Sequence, residues 1–144
     1  MGTFEVFDHT ADVGLRVRGE SLEDLLATAA RATFDQMLED WPAEVAVEED
    51  VSAVPSEAIG PDLAEAFVDW LQELLYRFET ARLVPLQYAF TAAGPAGIKA
   101  RVGFGRFESG RHRTRLEVKA VTYHELDVHR EPDGKWTARF ILDV

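Results

Sequence analysis

The sequence LAEAFVDWLQELLYRF, residues 63–78, is the strongest helix-forming segment of this 144-residue chain. Its apolar side chains recur every three or four residues, which is the spacing of one face of an α-helix. They are Leu63, Ala66, Phe67, Trp70, Leu71, Leu74, Leu75 and Phe78. At the start of this segment, Asp62 and Glu65 can form a reciprocal N-terminal cap. We expect this helix to provide the main packing surface of the core.

A second helix is predicted upstream, starting after Ser21. The segment Ser21-Leu-Glu-Asp24 resembles a capping box, and apolar residues follow it at helical spacing. The pattern continues to about Leu38. It stops before Trp41-Pro42, because proline disfavours helical geometry in the residue that precedes it.

Most of the remaining sequence is typical of β-strands. Strands are predicted at residues 4–7, 13–18, 44–54, 86–91, 98–107, 113–124, 125–130 and 135–143. Turn clusters at Gly94-Pro-Ala-Gly97 and Pro132-Asp133-Gly134 separate some of them. The sequence therefore predicts an α+β fold, with two main helices packed on a largely antiparallel β-sheet in a single domain of residues 1–144. Parallel βαβ alternation and a Gly-rich phosphate loop are missing, which disfavours a doubly wound nucleotide fold.

The charge balance disfavours direct, strong binding to nucleic acid. The chain has 15 basic and 26 acidic residues, a formal net charge of −11, whereas phosphate neutralisation requires a basic face. The basic residues of segment 101–115 are interpreted as part of a solvated hairpin. There is no cysteine, no secretory signal and no apolar run of the roughly 18 residues that a membrane helix needs. We therefore expect a cytoplasmic protein without a membrane partner.

Carboxylates are predicted to converge near the last residue. Segment 136–144 indicates a strand that runs to Val144, where the Asp143 side chain and the main-chain carboxylate lie side by side. If the loop that carries Asp12 folds against this strand end, three carboxylates meet, and such a spot favours a hard divalent cation. Local turn capping by the Asp8-His-Thr-Ala-Asp12 segment is the common alternative for such a sequence.

The segment Lys119-Ala-Val-Thr-Tyr-His124 is a second candidate for chemistry. Lys119 could neutralise a nearby acidic site, and Tyr123 and His124 could transfer protons. Ordinary strand packing explains Tyr123 as well, with its hydroxyl hydrogen-bonded and His124 at a strand end. No arrangement of Ser, His and Asp indicates a nucleophilic enzyme.

Several short motifs, spread from the first strand to the last residue, together resemble the archease family. They are Asp8-His-Thr-Ala-Asp-Val-Gly14, Asp69-Trp-Leu-Gln-Glu-Leu-Leu75, Gly105-Arg-Phe-Glu108, Arg111-His112, Val118-Lys-Ala-Val-Thr-Tyr-His124 and Leu142-Asp-Val144. Their order and spacing match the family over essentially the whole chain. The family usually ends in Asp-Ile, and Val144 is a conservative departure that leaves the main-chain carboxylate unchanged.

The resemblance implies a non-catalytic accessory protein of an RtcB-type RNA ligase. The ligase acts in tRNA processing, either in tRNA splicing or in RNA repair. Such a protein promotes guanylylation of a ligase histidine and allows multiple turnover. The resemblance implies a metal site at Asp12, Asp143 and Val144, the last through main-chain oxygens, with support from His9 and Lys119. The expected cofactor is a divalent cation, Ca²⁺ ahead of Mg²⁺ or Mn²⁺.

Two other functions are compatible with the residues. One is a metal-dependent hydrolase that acts alone, with His9 or His124 as the base. The other is a general chaperone or adaptor in which no metal is needed. Both differ from the archease role in a measurable way, because only the hydrolase turns over without a partner and only the adaptor is indifferent to loss of Asp12 or Asp143.

Overall fold

The computed structural model describes residues 2–9 and 12–144, except for the side chains of Asp8 and His9. These residues form two helices and seven strands. In chain order they are β1 Thr3–His9, β2 Asp12–Gly19, α1 Leu22–Met37, β3 Val47–Ala53, α2 Leu63–Ala81, β4 Leu83–Gly94, β5 Gly97–Arg106, β6 Ala120–Arg130 and β7 Trp136–Asp143. All strand pairs are antiparallel, so the predicted α+β class is confirmed.

The strands divide into two sheets. One has four strands in the order β1-β2-β7-β6, and the other has three in the order β3-β5-β4. Both helices pack against strands of both sheets, α1 on β2, β7 and β4, and α2 on β6, β3, β4 and β5. The apolar stripe of α2 is buried as predicted, with Leu63 only partly covered.

Aromatic contacts show why α2 occupies the centre of the core. Phe67 meets Phe140 of β7 with ring centroids 5.3 Å apart, and Phe78 meets Phe34 of α1 at 5.9 Å. Trp70 lies 5.3 Å from Phe90 of β4 and donates its indole N–H to the Leu26 carbonyl at 3.0 Å. Edge-to-face and tilted pairs of this kind add to the burial of apolar area.

Both predicted N-caps are present, but the cap of α2 is not reciprocal. The Ser21 hydroxyl accepts the Asp24 N–H at 3.0 Å, and Asp62 Oδ1 accepts the Glu65 N–H at 3.1 Å. The Asp62 N–H binds the Pro95 carbonyl at 2.8 Å instead of the Glu65 side chain. Helix α2 ends at Ala81, and Arg82 caps it in a left-handed conformation (φ 55°). Within the described residues, no helix combines the length and the apolarity needed to cross a membrane.

The predicted strand at residues 113–124 is wrong in its first half. Residues 113–119 contribute one isolated bridge, between Thr114 and Leu38, and no strand. Their main chain instead pairs with the end of α1, since the Arg115 N–H binds the Met37 carbonyl at 2.7 Å. That carbonyl belongs to the last turn of a helix and lacks an intrahelical partner.

Strand β6 is continuous through the break predicted at residue 125, but it contains a bulge there. Between the pairs Thr122–Ile141 and Asp127–Arg139, four residues of β6 face one residue of β7. Glu125 adopts a left-handed backbone conformation at this point (φ 55°). The break in the sequence pattern therefore marks an irregular ladder rather than a strand end.

Candidate functional site

Strand register brings Asp12 and Asp143 to one end of the four-stranded sheet. Strands β2 and β7 are antiparallel, and their terminal pair is Val13 with Leu142. Asp12 precedes Val13 and Asp143 follows Leu142, so the two aspartates lie beside each other at adjacent strand ends. Side chains opposite each other on such strands have Cβ atoms about 4.5–5.5 Å apart.

The backbone after Asp143 is fixed by contacts on both sides. The Asp143 carbonyl accepts the Lys119 N–H at 2.8 Å, and Asp143 pairs with Ala120 at the start of β6. The Val144 side chain is partly buried and packs against the hydrophobic core. The last residue is therefore anchored at the same end of the sheet as Asp143.

His9 and Lys119, which were also predicted at the site, meet this end of the sheet through their main chains. His9 pairs with Asp12 along the β1–β2 ladder, which places its backbone at the same end of the sheet. Its side chain lies outside the described residues, as do Thr10 and Ala11. Lys119 meets Asp143 through its main chain, while its exposed side chain borders a cleft along α2.

A cationic cluster that the sequence analysis missed lies behind the aspartates. The Phe7 ring covers Gly14, two residues along β2 from Asp12, so closely that a Cβ at Gly14 would lie 2.3 Å from it. The guanidinium carbons of Arg16 and Arg139 lie 4.3 Å and 4.7 Å from the Phe7 ring centroid. Cation–π contacts thus hold two positive groups at the Phe7 ring, which lies over Gly14.

Both arginines also pair with carboxylates. Arg16 Nη1 lies 3.3 Å from Glu5, and Arg139 Nη1 lies 3.3 Å from Glu125. Strand alternation places Arg139 and Asp143 on the same face of the last strand, but no sequence signal indicates the aromatic contact that completes the cluster. The position of Phe7 over Gly14 depends on the pairing of β1 with β2, which no short motif specifies.

Tyr123 and His124 are not gathered with the aspartates. Tyr123 is three residues along β6 from Ala120, the partner of Asp143, or about 10 Å at strand rise. Its hydroxyl donates to Glu65 Oε2 at 2.9 Å. Burial, and then the hydrogen bond and charge of Glu65, raise the pKa of Tyr123 to about 12, so the hydroxyl stays protonated near neutral pH. His124 lies in the β6 bulge, with Nε2 3.4 Å from Glu125, rather than at a strand end.

Most of the basic residues of segment 101–115 have acidic or carbonyl partners. Arg101 pairs with Asp50 at 3.3 Å, Arg111 with Glu108 at 3.7 Å, Arg113 with Asp40 at 3.5 Å, and Arg115 donates to the Asp35 carbonyl at 3.2 Å. These pairings reduce the local positive field. A nucleic acid would have to compete with each of them for its phosphate contacts.

The donor set at the strand ends suits a hard cation. Two carboxylate side chains and main-chain oxygens are the ligands that Ca²⁺, Mg²⁺ and Mn²⁺ prefer, and they leave coordination positions for water or phosphate. No group of three or more His, Asp or Glu side chains that could hold a metal occurs among the residues the structure describes. The predicted set differs from such a group because it has only two carboxylate side chains, Asp12 and Asp143.

Comparisons with known proteins agree with the fold and with the motifs. Residues 4–144 match the profile of the Archease protein family (MTH1598/TM1083). The chain is similar to Protein archease of Methanopyrus kandleri, with 39% identity over 98% of this chain and 99% of the relative. It is also similar to Protein archease of Pyrococcus furiosus, with 32% identity over all of both chains. The solution structure of protein 1598 of Methanobacterium thermoautotrophicum superposes with a TM-score of 0.77, at 32% identity, and covers 98% of each chain.

Proposed function

This chain belongs to the archease family, and we propose that it is an accessory protein that activates an RtcB-type RNA ligase. The observation that carries the proposal is the placement of Asp12 and Asp143 at adjacent strand ends next to Val144. Two carboxylates held side by side repel each other in the absence of a cation. A divalent ion bound between them would remove this repulsion.

In this proposal Asp12, Asp143 and the main-chain oxygens of Val144 hold the cation. When bound, the ion supplies a concentrated positive charge that can polarise and orient phosphate oxygens. The residues of the chain position it: the β2–β7 ladder fixes both aspartates, and the contact of Lys119 with the Asp143 carbonyl fixes the strand end.

We place the action of this tip, defined as Asp12, Asp143 and Val144, at the active site of the ligase. There it promotes guanylylation of the ligase histidine and restores the enzyme for further turnovers, in tRNA splicing or RNA repair. The chain itself is not the catalyst in this proposal. The net charge of −11 favours a basic protein surface over direct binding to RNA.

A single-turnover guanylylation assay of the cognate ligase tests the proposal. We expect the native chain to accelerate guanylylation in the presence of a divalent cation, and Asp12→Ala or Asp143→Ala to reduce that stimulation by at least about tenfold, because a missing ligand typically costs several kcal/mol of ion binding. Asp50→Ala is the control, since it removes an exposed carboxylate from the other sheet.

The same assay separates the alternatives. Undiminished stimulation by Asp12→Ala and Asp143→Ala would support an adaptor without functional metal and contradict the proposed site. Turnover of a phosphoester such as p-nitrophenyl phosphate by the purified chain with Mn²⁺, in the absence of ligase, would instead support a hydrolase.

A further inference from the structure

A cleft of about 480 Å³ runs along the outward face of α2. Its floor consists of α2 residues spaced three or four apart, so that they share one side of the helix. One wall is formed by residues 52–54 at the end of β3, and Lys119 stands at the opposite side. The floor residues are Asp69, Gln72, Glu73, Leu75, Tyr76 and Glu79.

The cleft is acidic. Asp69, Glu73 and Glu79 contribute three carboxylates, and Lys119 is the basic residue among the described residues that line it. Carboxylates four residues apart on a helix repel each other and cost about 0.2–0.5 kcal/mol per pair. Burial, followed by the charges of Glu65 and Glu73, raises the pKa of Asp69. Glu73 is already paired with Arg77 Nη1 at 2.8 Å, so Asp69 and Glu79 are the carboxylates that a cationic ligand would meet in the cleft.

Apolar groups are exposed at the rim of the same cleft. Tyr76 is 62% exposed and Val54 is 53% exposed, and they belong to the few large apolar side chains of the described residues with so much accessible surface. Tyrosine is enriched at protein interfaces because it offers a large apolar ring and a polar end. The rim thus has the composition of a protein-docking surface rather than of a small-ion site.

The β3 wall offers main-chain hydrogen-bonding groups. Strand β3 lies at the edge of its sheet and pairs only with β5. Arg77 Nη2 of α2 donates to the Asp50 carbonyl at 3.4 Å, so the main chain of β3 is accessible from α2 at this position. Ser52 follows two residues further along the strand and lines the cleft, and main-chain groups of alternate strand residues share one edge.

One main-chain N–H of β6 already has a side-chain partner on α2. The Val121 N–H donates to Gln72 Oε1 at 3.2 Å. That N–H is taken, whereas residues 52–54 at the end of β3 line the cleft directly. This arrangement fits an extended segment that binds an edge strand through its main chain.

A neighbouring depression extends the cleft and connects it to the tip. It has a volume of about 420 Å³, shares Leu75, Glu79 and Lys119 with the cleft, and is partly apolar, with Met37 and Phe78 in its lining. The Lys119 N–H binds the Asp143 carbonyl. A single partner could therefore contact the tip and the cleft at the same time.

We propose that this cleft receives a basic, extended segment of the RNA ligase, with lysine or arginine side chains against Asp69 and Glu79 and its main chain along the β3 edge. The inference rests on the proposed function, because it takes the ligase as the partner. It adds a second contact surface, which supplies affinity and orientation while the tip supplies the effect on guanylylation.

Binding of the full-length cognate ligase to the native chain and to the double variant Asp69→Asn/Glu79→Gln tests this inference by titration calorimetry. We expect the variant to raise the Kd about fivefold to tenfold at low salt, and less at high salt, because partly exposed charge pairs contribute up to about 1 kcal/mol each and are screened. Tyr76→Ala should weaken binding at both salt concentrations. The matched control Glu23→Gln/Glu44→Gln removes two exposed charges outside the cleft and outside β3, and it should leave the Kd within about twofold.

Different outcomes bear on different proposals. If the native chain stimulates guanylylation but the cleft variants bind the ligase with the native Kd, the cleft inference is wrong and the proposed function stands. If the native chain does not stimulate the ligase at all, the proposed function is wrong. If the cleft variants weaken self-association in sedimentation equilibrium and leave ligase binding unchanged, the occupant is a second copy of this chain, which also contradicts the inference.

Discussion

Asp12 and Asp143 are 131 positions apart in the sequence, and the antiparallel pairing of β2 with β7 makes them neighbours. The sequence could indicate this convergence because one carboxylate begins a strand pattern and the other ends one. It could not reveal the cation–π cluster of Phe7, Arg16 and Arg139, since that contact depends on three strands pairing in one register.

A cation bound at the tip should stabilise the fold. We expect Ca²⁺ at about one hundred times its Kd to raise the free energy of unfolding by about 2.7 kcal/mol, because the ion binds only the folded state. Differential scanning calorimetry with and without CaCl₂ measures this effect. The increase should vanish in Asp12→Ala and persist in Asp50→Ala. An equal increase in all three proteins would show that the ion binds elsewhere.

His129 should titrate above the ordinary value for histidine. Its Nδ1 lies 2.6 Å from Asp127 and its Nε2 3.1 Å from Glu131, and the hydrogen bond that Nδ1 donates to Asp127 is the main cause of the raised pKa. Because the folded pKa exceeds the unfolded value of about 6.5, the stabilisation is fully present below pH 6.5 and is lost as the pH rises through the folded pKa.

Two-dimensional NMR of the imidazole Cε1 protons measures the titration of His129 directly. Asp127→Asn should lower the pKa of His129, because it removes the charge and the acceptor that favour the imidazolium form. An unchanged pKa in that variant would contradict the role of Asp127.

At the scale of elements, both helices and most strands follow from sequence periodicity and capping. Ser21 and Asp62 identified the helix starts because their side chains satisfy N–H groups that the helix leaves open. Residues 113–119 were predicted as a strand because they alternate in polarity, yet their main chain pairs with the end of α1. The division into two sheets also escaped prediction, because partner choice between strands depends on tertiary packing.

The contact of Phe7 with Gly14 should contribute to the pairing of β1 with β2. We expect Gly14→Ala to lower the free energy of unfolding by about 1–2 kcal/mol. The new methyl group would displace the Phe7 ring from its contacts with two guanidinium groups. Urea denaturation measures the loss. Gly110→Ala is the matched control, since nothing lies within 4 Å of the added Cβ there.

A double-mutant cycle identifies the cause of that loss. In the Phe7→Ala background, Gly14→Ala should cost almost nothing, because the clashing ring is gone. The same cost in both backgrounds would mean that the effect comes from the β2 backbone and not from the aromatic contact.

At the scale of the whole molecule, the fold carries the two proposed binding surfaces, the tip and the cleft. The tip joins opposite ends of the sequence, and the cleft over α2 adjoins it through Lys119. Both surfaces are built on the packed core between α2 and the two sheets, so their relative position is fixed. The molecule is thus suited to binding one partner at two places, with its acidic surface directed towards a basic protein.

The most direct test of the account is single-turnover guanylylation of the ligase by a chain extended after Val144. A few added residues would occupy the space beside the Asp12 and Asp143 side chains and obstruct the tip, while an extension before Met1 serves as the control. We predict that, without a divalent cation, the extended protein keeps the Tm of the native chain, that it loses most of its stimulation, and that the control stimulates normally. Full stimulation by the extended protein would contradict the proposed role of Val144 in the tip.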